Sequence, residues 1–336
     1  MKISILGSGS WGITLGLHLY KAGHEVSLWA SSESKGEQLN EKRENSKILP
    51  GVKLPQNIFI SSDIAEVLNG KNGIIMAVPS HVLRNVSLKA TACWPKNAWA
   101  LCASKGLEET TNLRMSQILV EVLPIDTKVA VLSGPSHAEE VSRQMPTTLV
   151  VASNEVLLAK IVQEIFHTDY LRVYTATDVI GVELGGALKN VIAIAAGILD
   201  GLGLGDNTKA ALMTRGLYEM TRLGVALGAK EKTFAGLAGI GDLIVTCISR
   251  HSRNRLLGEK IGGGETLSQA LKEMVMVAEG VRTAKSAVEL AHQVGVEVPI
   301  MEEVCNVLFE NKSAKDAMST LLTRSAKSEF DRNSDL

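Results

Sequence analysis

MKISILGSGSWG, residues 1–12, decides how the rest of the chain is read. A compact apolar run at residues 2–6 leads straight into Gly7-Ser8-Gly9-Ser10-Trp11-Gly12, which fits G-x-G-x-x-G. Between a strand and a helix, Gly7 permits a tight turn and Gly9 lets backbone approach a pyrophosphate. Gly12 lets the helix pack close to the strand. The helix then offers unpaired N–H groups to phosphates. Glycine turns alone are common. Here the flanking strand and helix, and a second apolar run at residues 25–29, favour a dinucleotide site over a merely structural turn. At the end of that second run an acidic residue would bond a ribose 2′-hydroxyl, and a basic one would accept a 2′-phosphate. The chain offers Trp29-Ala30-Ser31-Ser32-Glu33. Serines bond either group, so Ser31 is a candidate contact and NAD versus NADP stays open.

Outward from this turn, β-rich runs follow at residues 73–78, 99–103, 129–132 and 148–152. Helical spacing lies between them at residues 15–22 and 113–123, and follows at 156–166. Such alternation predicts a parallel, doubly wound α/β sheet with helices on both faces. After Asp178 the β-branched runs give way to Ala, Gly, Leu and Met at helical periods: residues 179–199, 208–227, 256–261, 267–274 and 283–294. The expected organisation is a Rossmann-type domain over residues 1–178, an all-helical domain over 179–330 and a flexible polar tail over 331–336.

The chain has 336 residues, 45% of them hydrophobic and 21% charged, which suffices for real cores in about two domains. A net charge of −1 argues against a general nucleic-acid binder, so any pull on an anion must be local. The four cysteines show no CxxC pair and no metal-ligand spacing; they read as reduced, partly buried thiols of a cytoplasmic protein, with no metal. The N-terminus does not read as a signal peptide. The longest apolar stretch, residues 179–204, is interrupted by Glu183, Lys189, Asn190 and Asp200, which disfavours an integral membrane protein. A homodimer is expected from the prevalence of two-fold assemblies.

ELGGALKNVIAIAAG, residues 183–197, raises a second question, because a lysine within a core-like helix is costly unless its charge or proton is used. Lys189 has Gly185 and Gly186 one turn before it and Ala193 one turn after, leaving room for a ligand against the backbone. The plainer alternative is a lysine that snorkels to solvent. A second lysine, in Ser104-Lys105-Gly106, ends a predicted strand, where ligands bind in open α/β sheets. Ser133-Gly134-Pro135-Ser136 adds hydroxyls and backbone donors on the same edge. Residues 250–255, RHSRNR, place cations where a helix begins, with Ser252 as N-cap. Arg253 could fork a phosphate and Asn254 add a donor, or the segment is a solvated basic turn. Asp242, after GLAGIG, either orients a lysine or substrate hydroxyl or caps a helix. Together these features point to hydride transfer to a phosphate-bearing ketone. A lysine of lowered pKa would protonate the emerging alkoxide.

The chain closely resembles the bacterial NAD(P)-dependent sn-glycerol-3-phosphate dehydrogenases over residues 2–327. The likeness rests on GSGSWG (7–12), VPSH (78–81), SKGLE (104–108), LSGPS (132–136), GVELGGALKNVIAIAAG (181–197), GLAGIGDL (236–243) and SRNR (252–255). It implies NAD(P)H-dependent reduction of dihydroxyacetone phosphate to sn-glycerol 3-phosphate for phospholipid synthesis. It makes Lys189 the proton acceptor in the oxidative direction. Lys105, Gly134, Ser136, Lys189, Asp242, Ser252, Arg253 and Asn254 would contact substrate. Ser10, Trp11, Lys105, Ala138, Arg253, Val277 and Glu279 would contact cofactor, with Asn190 and Thr246 near the substrate. Three departures stand out: Gly12-Ile13-Thr14 where the family often has Gly-Thr-Ala, serines at 31 and 32 where many members carry a basic residue or histidine, and Ile48 where an aromatic is common. Both cofactors are therefore expected to be accepted to some degree. The rivals are a β-hydroxyacid or 6-phosphogluconate-type dehydrogenase, which would take a carboxylate substrate, and a silent nucleotide sensor, which would need neither Lys189 nor Arg253.

Overall fold

The computed structural model describes residues 1–274, 278–326 and 328–329. Eight strands form one sheet: β1 Lys2–Leu6, β2 Glu25–Trp29, β3 Phe59–Ser61, β4 Gly73–Met76, β5 Trp99–Cys102, β6 Val129–Ser133, β7 Thr147–Ser153 and β8 Leu171–Ala176. Their spatial order is β3-β2-β1-β4-β5-β6-β7-β8. All pairings among β1 to β6 are parallel. The order therefore changes direction between β1 and β4, and in such sheets a crevice opens there beyond the strands' carboxyl ends.

Parallel strands buried on both faces read as near-continuous apolar runs. Within β4, Ile75 joins one apolar layer while Ile74 and Met76 join the opposite one. Each such side chain, removed from water, contributes about 1.5–3 kcal/mol.

The sheet departs from the sequence reading in two ways. β7 runs antiparallel to β6 and carries β8 parallel to itself, so the array is not wholly parallel. The run TTLVVAS fits a buried strand of either direction, and composition cannot choose. Strands β3 and β8 were not anticipated. β3 has only three residues. β8 is an edge strand whose Leu171 and Val173 are buried while Arg172 and Tyr174 are exposed.

From Val179 onward, every described element is helical. Asp178 caps the first of these helices: one carboxylate oxygen accepts from the Gly181 amide at 3.0 Å, the other from the Lys230 amide at 2.8 Å and the Thr233 hydroxyl at 2.6 Å. That helix, Val179–Gly201, is mostly apolar and buried on nearly every face, and forms the axis of the second half. By composition it is long and apolar enough to cross a bilayer, yet 89% of its most apolar window is buried inside the protein. Helix Arg253–Gly262 lies against it backbone to backbone. A methyl on Gly197 would stand 1.9 Å from the Arg255 carbonyl oxygen, and one on Gly258 2.0 Å from that of Ile194. This contact sets Arg253 and Asn254 beside the central helix. The four cysteines are free thiols, and burial pushes Cys247 up to about 12. The expected tail, residues 331–336, lies outside the described residues.

Candidate active site

A cleft of about 880 Å³ runs from the glycine turn, past the ends of β4 and β5, to the central helix. Gly7 takes φ +128°, and a methyl there would press on the Ala77 carbonyl oxygen at 2.5 Å. A methyl on Gly12 would stand 1.9 Å from the Gly7 carbonyl oxygen, so the helix Ser10–Lys21 starts this close to the turn only with glycine there. Gly9 differs. Its backbone is ordinary (φ −73°, ψ 177°), and a methyl would meet nothing within 4 Å. Among the described residues, no contact requires glycine at this position on the cleft wall. A dinucleotide's pyrophosphate lying against the backbone would, so the turn fits that group. Ser10, Trp11, Ser31, Ala138 and Glu279 also line the cleft. Val277 lies outside the described residues.

At the other end of the cleft, Lys189 is buried, with 6% of its surface exposed, so it does not snorkel. Its Nζ donates to Asp242 Oδ1 at 2.7 Å and to Thr246 Oγ1 at 2.6 Å. Lys105 Nζ donates to the other Asp242 oxygen at 2.7 Å and to the Gly134 carbonyl at 3.1 Å. Two ammonium groups thus share one buried carboxylate, and the cluster carries a net positive charge in a chain that is otherwise balanced. Burial lowers the Lys189 pKa to about 8; Asp242 opposes that fall and Lys105 adds to it. Burial works against ionisation of Asp242, but Lys105 and Lys189 outweigh it and hold the carboxyl below its ordinary value. Asp242 begins the helix Asp242–Ile248, yet its carboxylate serves the two lysines and not a helix cap.

The basic segment divides. Ser252 caps the following helix, its hydroxyl accepting from the Arg255 amide at 3.2 Å. Arg255 turns away, its Nε 2.7 Å from Asp200 Oδ2. Arg253 lines the cleft with Ser252, Asn254 and His251. Asn254 also ties three helices: its Nδ2 donates to Asn190 Oδ1 at 2.9 Å, and its Oδ1 accepts from the Gly280 amide at 2.9 Å. Glu279, at the head of that third helix, accepts from the Ser80 amide at 3.2 Å and from the Ser80 hydroxyl. The helical half is thereby pinned to the end of β4.

The space expected beside Gly185 and Gly186 is filled by protein. Added methyls would stand 2.4 Å from the Ala238 carbonyl oxygen and 2.6 Å from Ser133 Oγ. The two glycines let the central helix reach the sheet's edge, and the ligand space lies around Lys189 instead. Gly134 contributes its carbonyl from beneath Lys105, and Ser136 Oγ donates to the same carbonyl at 2.9 Å. Sequence reasoning missed Lys35, Lys89, His137 and His251, which also line the cleft. The imidazole rings of His137 and His251 stand 6.0 Å apart, from opposite halves of the molecule. A signal for Lys35 existed: it follows Ser31 by four residues, one turn into a polar helix.

This topology with a glycine turn at its switch point and a buried lysine at the far end of the cleft defines a dinucleotide-dependent oxidoreductase class. The comparisons give the family. The model for the NAD-dependent glycerol-3-phosphate dehydrogenase N-terminus matches residues 2–159, and that for the C-terminus matches residues 178–319. The chain belongs to this family. It is 52% identical over 330 residues to a glycerol-3-phosphate dehydrogenase [NAD(P)+] of Citrifermentans bemidjiense, covering 98% of each chain. The crystal structure of glycerol-3-phosphate dehydrogenase from Coxiella burnetii superposes with a TM-score of 0.93 at 36% identity, covering 96% of this chain and 99% of that one. The yeast enzyme from Saccharomyces cerevisiae superposes with a TM-score of 0.81 at 26% identity, covering 96% and 99%.

Proposed function

We infer that this chain catalyses the NAD(P)H-dependent, reversible reduction of dihydroxyacetone phosphate to sn-glycerol 3-phosphate. The observation that carries the chemical reading is the Lys189–Asp242–Lys105 cluster: a buried amine on the cleft, with a pKa lowered to about 8. The reduced nicotinamide, when bound, supplies the hydride. Lys189 gives its proton to the carbonyl oxygen as that oxygen gains charge, and takes one back in the oxidative direction. Asp242 fixes the amine's position. Burial keeps the amine's affinity for its proton low, and Lys105 adds to that effect. Arg253 grips the phosphate, with Ser252, Asn254, Ser136 and Gly134 completing its surroundings. Gly7, Gly9, Ser10, Trp11, Gly12, Ser31, Lys105, Ala138, Arg253 and Glu279 hold the cofactor. Residues 1–178 chiefly serve the cofactor, and residues 179–330 supply Lys189 and the phosphate grip. The chain works as a cytoplasmic homodimer and supplies the glycerol phosphate backbone of phospholipids. Net-neutral composition and the absence of CxxC spacing agree with that setting.

The direct test is NAD(P)H oxidation with dihydroxyacetone phosphate against dihydroxyacetone. The phosphorylated ketone should win by at least about 10²-fold in kcat/KM, because binding a dianion contributes to transition-state stabilisation. Equal rates with both would remove the anion grip from the account.

A further inference from the structure

We propose that Lys35, held by Ser31, receives the 2′-phosphate of an NADP-type dinucleotide, so that the phosphorylated cofactor binds more tightly than the unphosphorylated one. The proposal rests on reading the cleft as a dinucleotide site. It adds a specificity residue that the tip of β2 does not itself provide.

Three observations carry it. Ser31 and Lys35 line the same cleft as the glycine turn, at the carboxyl end of β2, which pairs with β1 directly beside that turn. In sheets of this order the adenosine ribose lies against the end of the second strand. Next, Lys35 Nζ donates to Ser31 Oγ at 3.0 Å, although both residues are exposed. That bond stations the ammonium at the cleft edge. An ammonium has three donor hydrogens and this bond uses one, leaving two for phosphate oxygens. Finally, the segment that would carry a ribose-binding carboxylate reads Ala30-Ser31-Ser32. The first acid after it, Glu33, is exposed and is not part of the cleft wall. Glu44 does line the wall, where its Oε1 accepts from the Gly51 amide at 3.0 Å. A carboxylate at the strand tip would repel a 2′-phosphate; a hydroxyl backed by an ammonium attracts it.

The test uses two probes with the full-length chain: adenosine 2′,5′-bisphosphate and adenosine 5′-monophosphate, titrated calorimetrically. The bisphosphate should bind at least about tenfold more tightly at low salt, and the advantage should shrink as ionic strength rises. Lys35→Ala should bring the affinity ratio close to one and lower the NADPH-to-NADH ratio of kcat/KM about tenfold. Lys35→Arg should keep most of both ratios. Lys42→Ala, exposed on the same helix and off the cleft wall, should change neither. An undiminished ratio in Lys35→Ala, or equal binding of the two probes by the unsubstituted chain, overturns the assignment of Lys35 alone. Failure of both probes to bind would instead overturn the nucleotide reading of the cleft, and this proposal with it.

Discussion

Lys189 and Glu219 are both ionisable side chains buried on long helices of the second half, and they are used in opposite ways. Lys189 has two oppositely and similarly charged neighbours, Asp242 and Lys105, and opens onto the cleft. Glu219 faces backbone. Its carboxylate oxygens accept from the Ile300 amide at 2.9 and 3.1 Å and from the Met301 amide at 3.3 Å. Those amides open the helix Pro299–Phe309, whose own N-cap, Val298, has no side-chain acceptor to give. Glu219 is therefore a cap supplied from another helix. Burial nevertheless pushes it up to about 7, with the Ile300 and Met301 amides opposing. Both groups have perturbed proton affinity, and only one touches ligand space. A shifted pKa marks a working site only when the group also faces a cavity with partners for chemistry.

Three measurements would break or sharpen this contrast. The largest effect is expected for Lys189→Ala, which should lower kcat about 10²–10⁴-fold while cofactor affinity changes little. Near-normal turnover in that variant would end the proton-transfer role. An intermediate effect is expected along the pH axis. Reduction of the ketone needs the protonated amine and should decline above pH about 8, while oxidation of the alcohol should rise through the same range. Asp242→Asn removes the charge that favours the ammonium, so the alkaline limit of reduction should move to lower pH. An unmoved limit would assign that pKa to another group. The smallest effect on turnover, less than about twofold, is expected for Glu219→Gln. Its signature is in stability. Between pH 4.5, the ordinary value, and about 7 the folded chain keeps a proton that the unfolded chain has released. Stability should therefore fall as pH rises through that window, by at most about 3 kcal/mol. In Glu219→Gln the fall should flatten, read from urea melts at several pH values; an unchanged slope would remove Glu219 as its source.

Much of this molecule could be read from residues in order. The glycine turn announced itself because three glycines at fixed spacing sat between a strand and a helix. Lys189 stood out as a charge in a stretch that otherwise belongs in a core. Direction and reach were harder. Nothing in TTLVVAS says that β7 runs backwards, since strand direction is set by the connection and not by the residues. The helix Ala314–Leu322 carried a readable start, Ser313 accepting from the Asp316 amide at 3.1 Å, but it is short and buries only Ala317. The Asn190–Asn254 bond joins positions 64 residues apart, and only the close crossing at Gly197 and Gly258 brings them together. Lys35 was signalled only by its spacing of one helical turn from Ser31, and its role shows once the strand end and the helix after it are seen to share one wall.

The reversed pair β7 and β8 has a mechanical corollary. Because β8 runs opposite to β6, and its last residue, Ala176, is level through Ala152 with Val131 in the middle of β6, the chain leaves the sheet heading away from the cleft and must reverse to bring Lys189 to it. The ten helical steps from Val179 to Lys189 rise about 15 Å. The stretch from Val179 to Lys189 makes that return, passing Ser133 at Gly186 and setting the amine three residues further on, where it meets the carboxylate that Lys105 also holds. Removing one residue from it would swing the amine about 100° around the axis, so the length of this segment is as much a part of the active centre as the lysine.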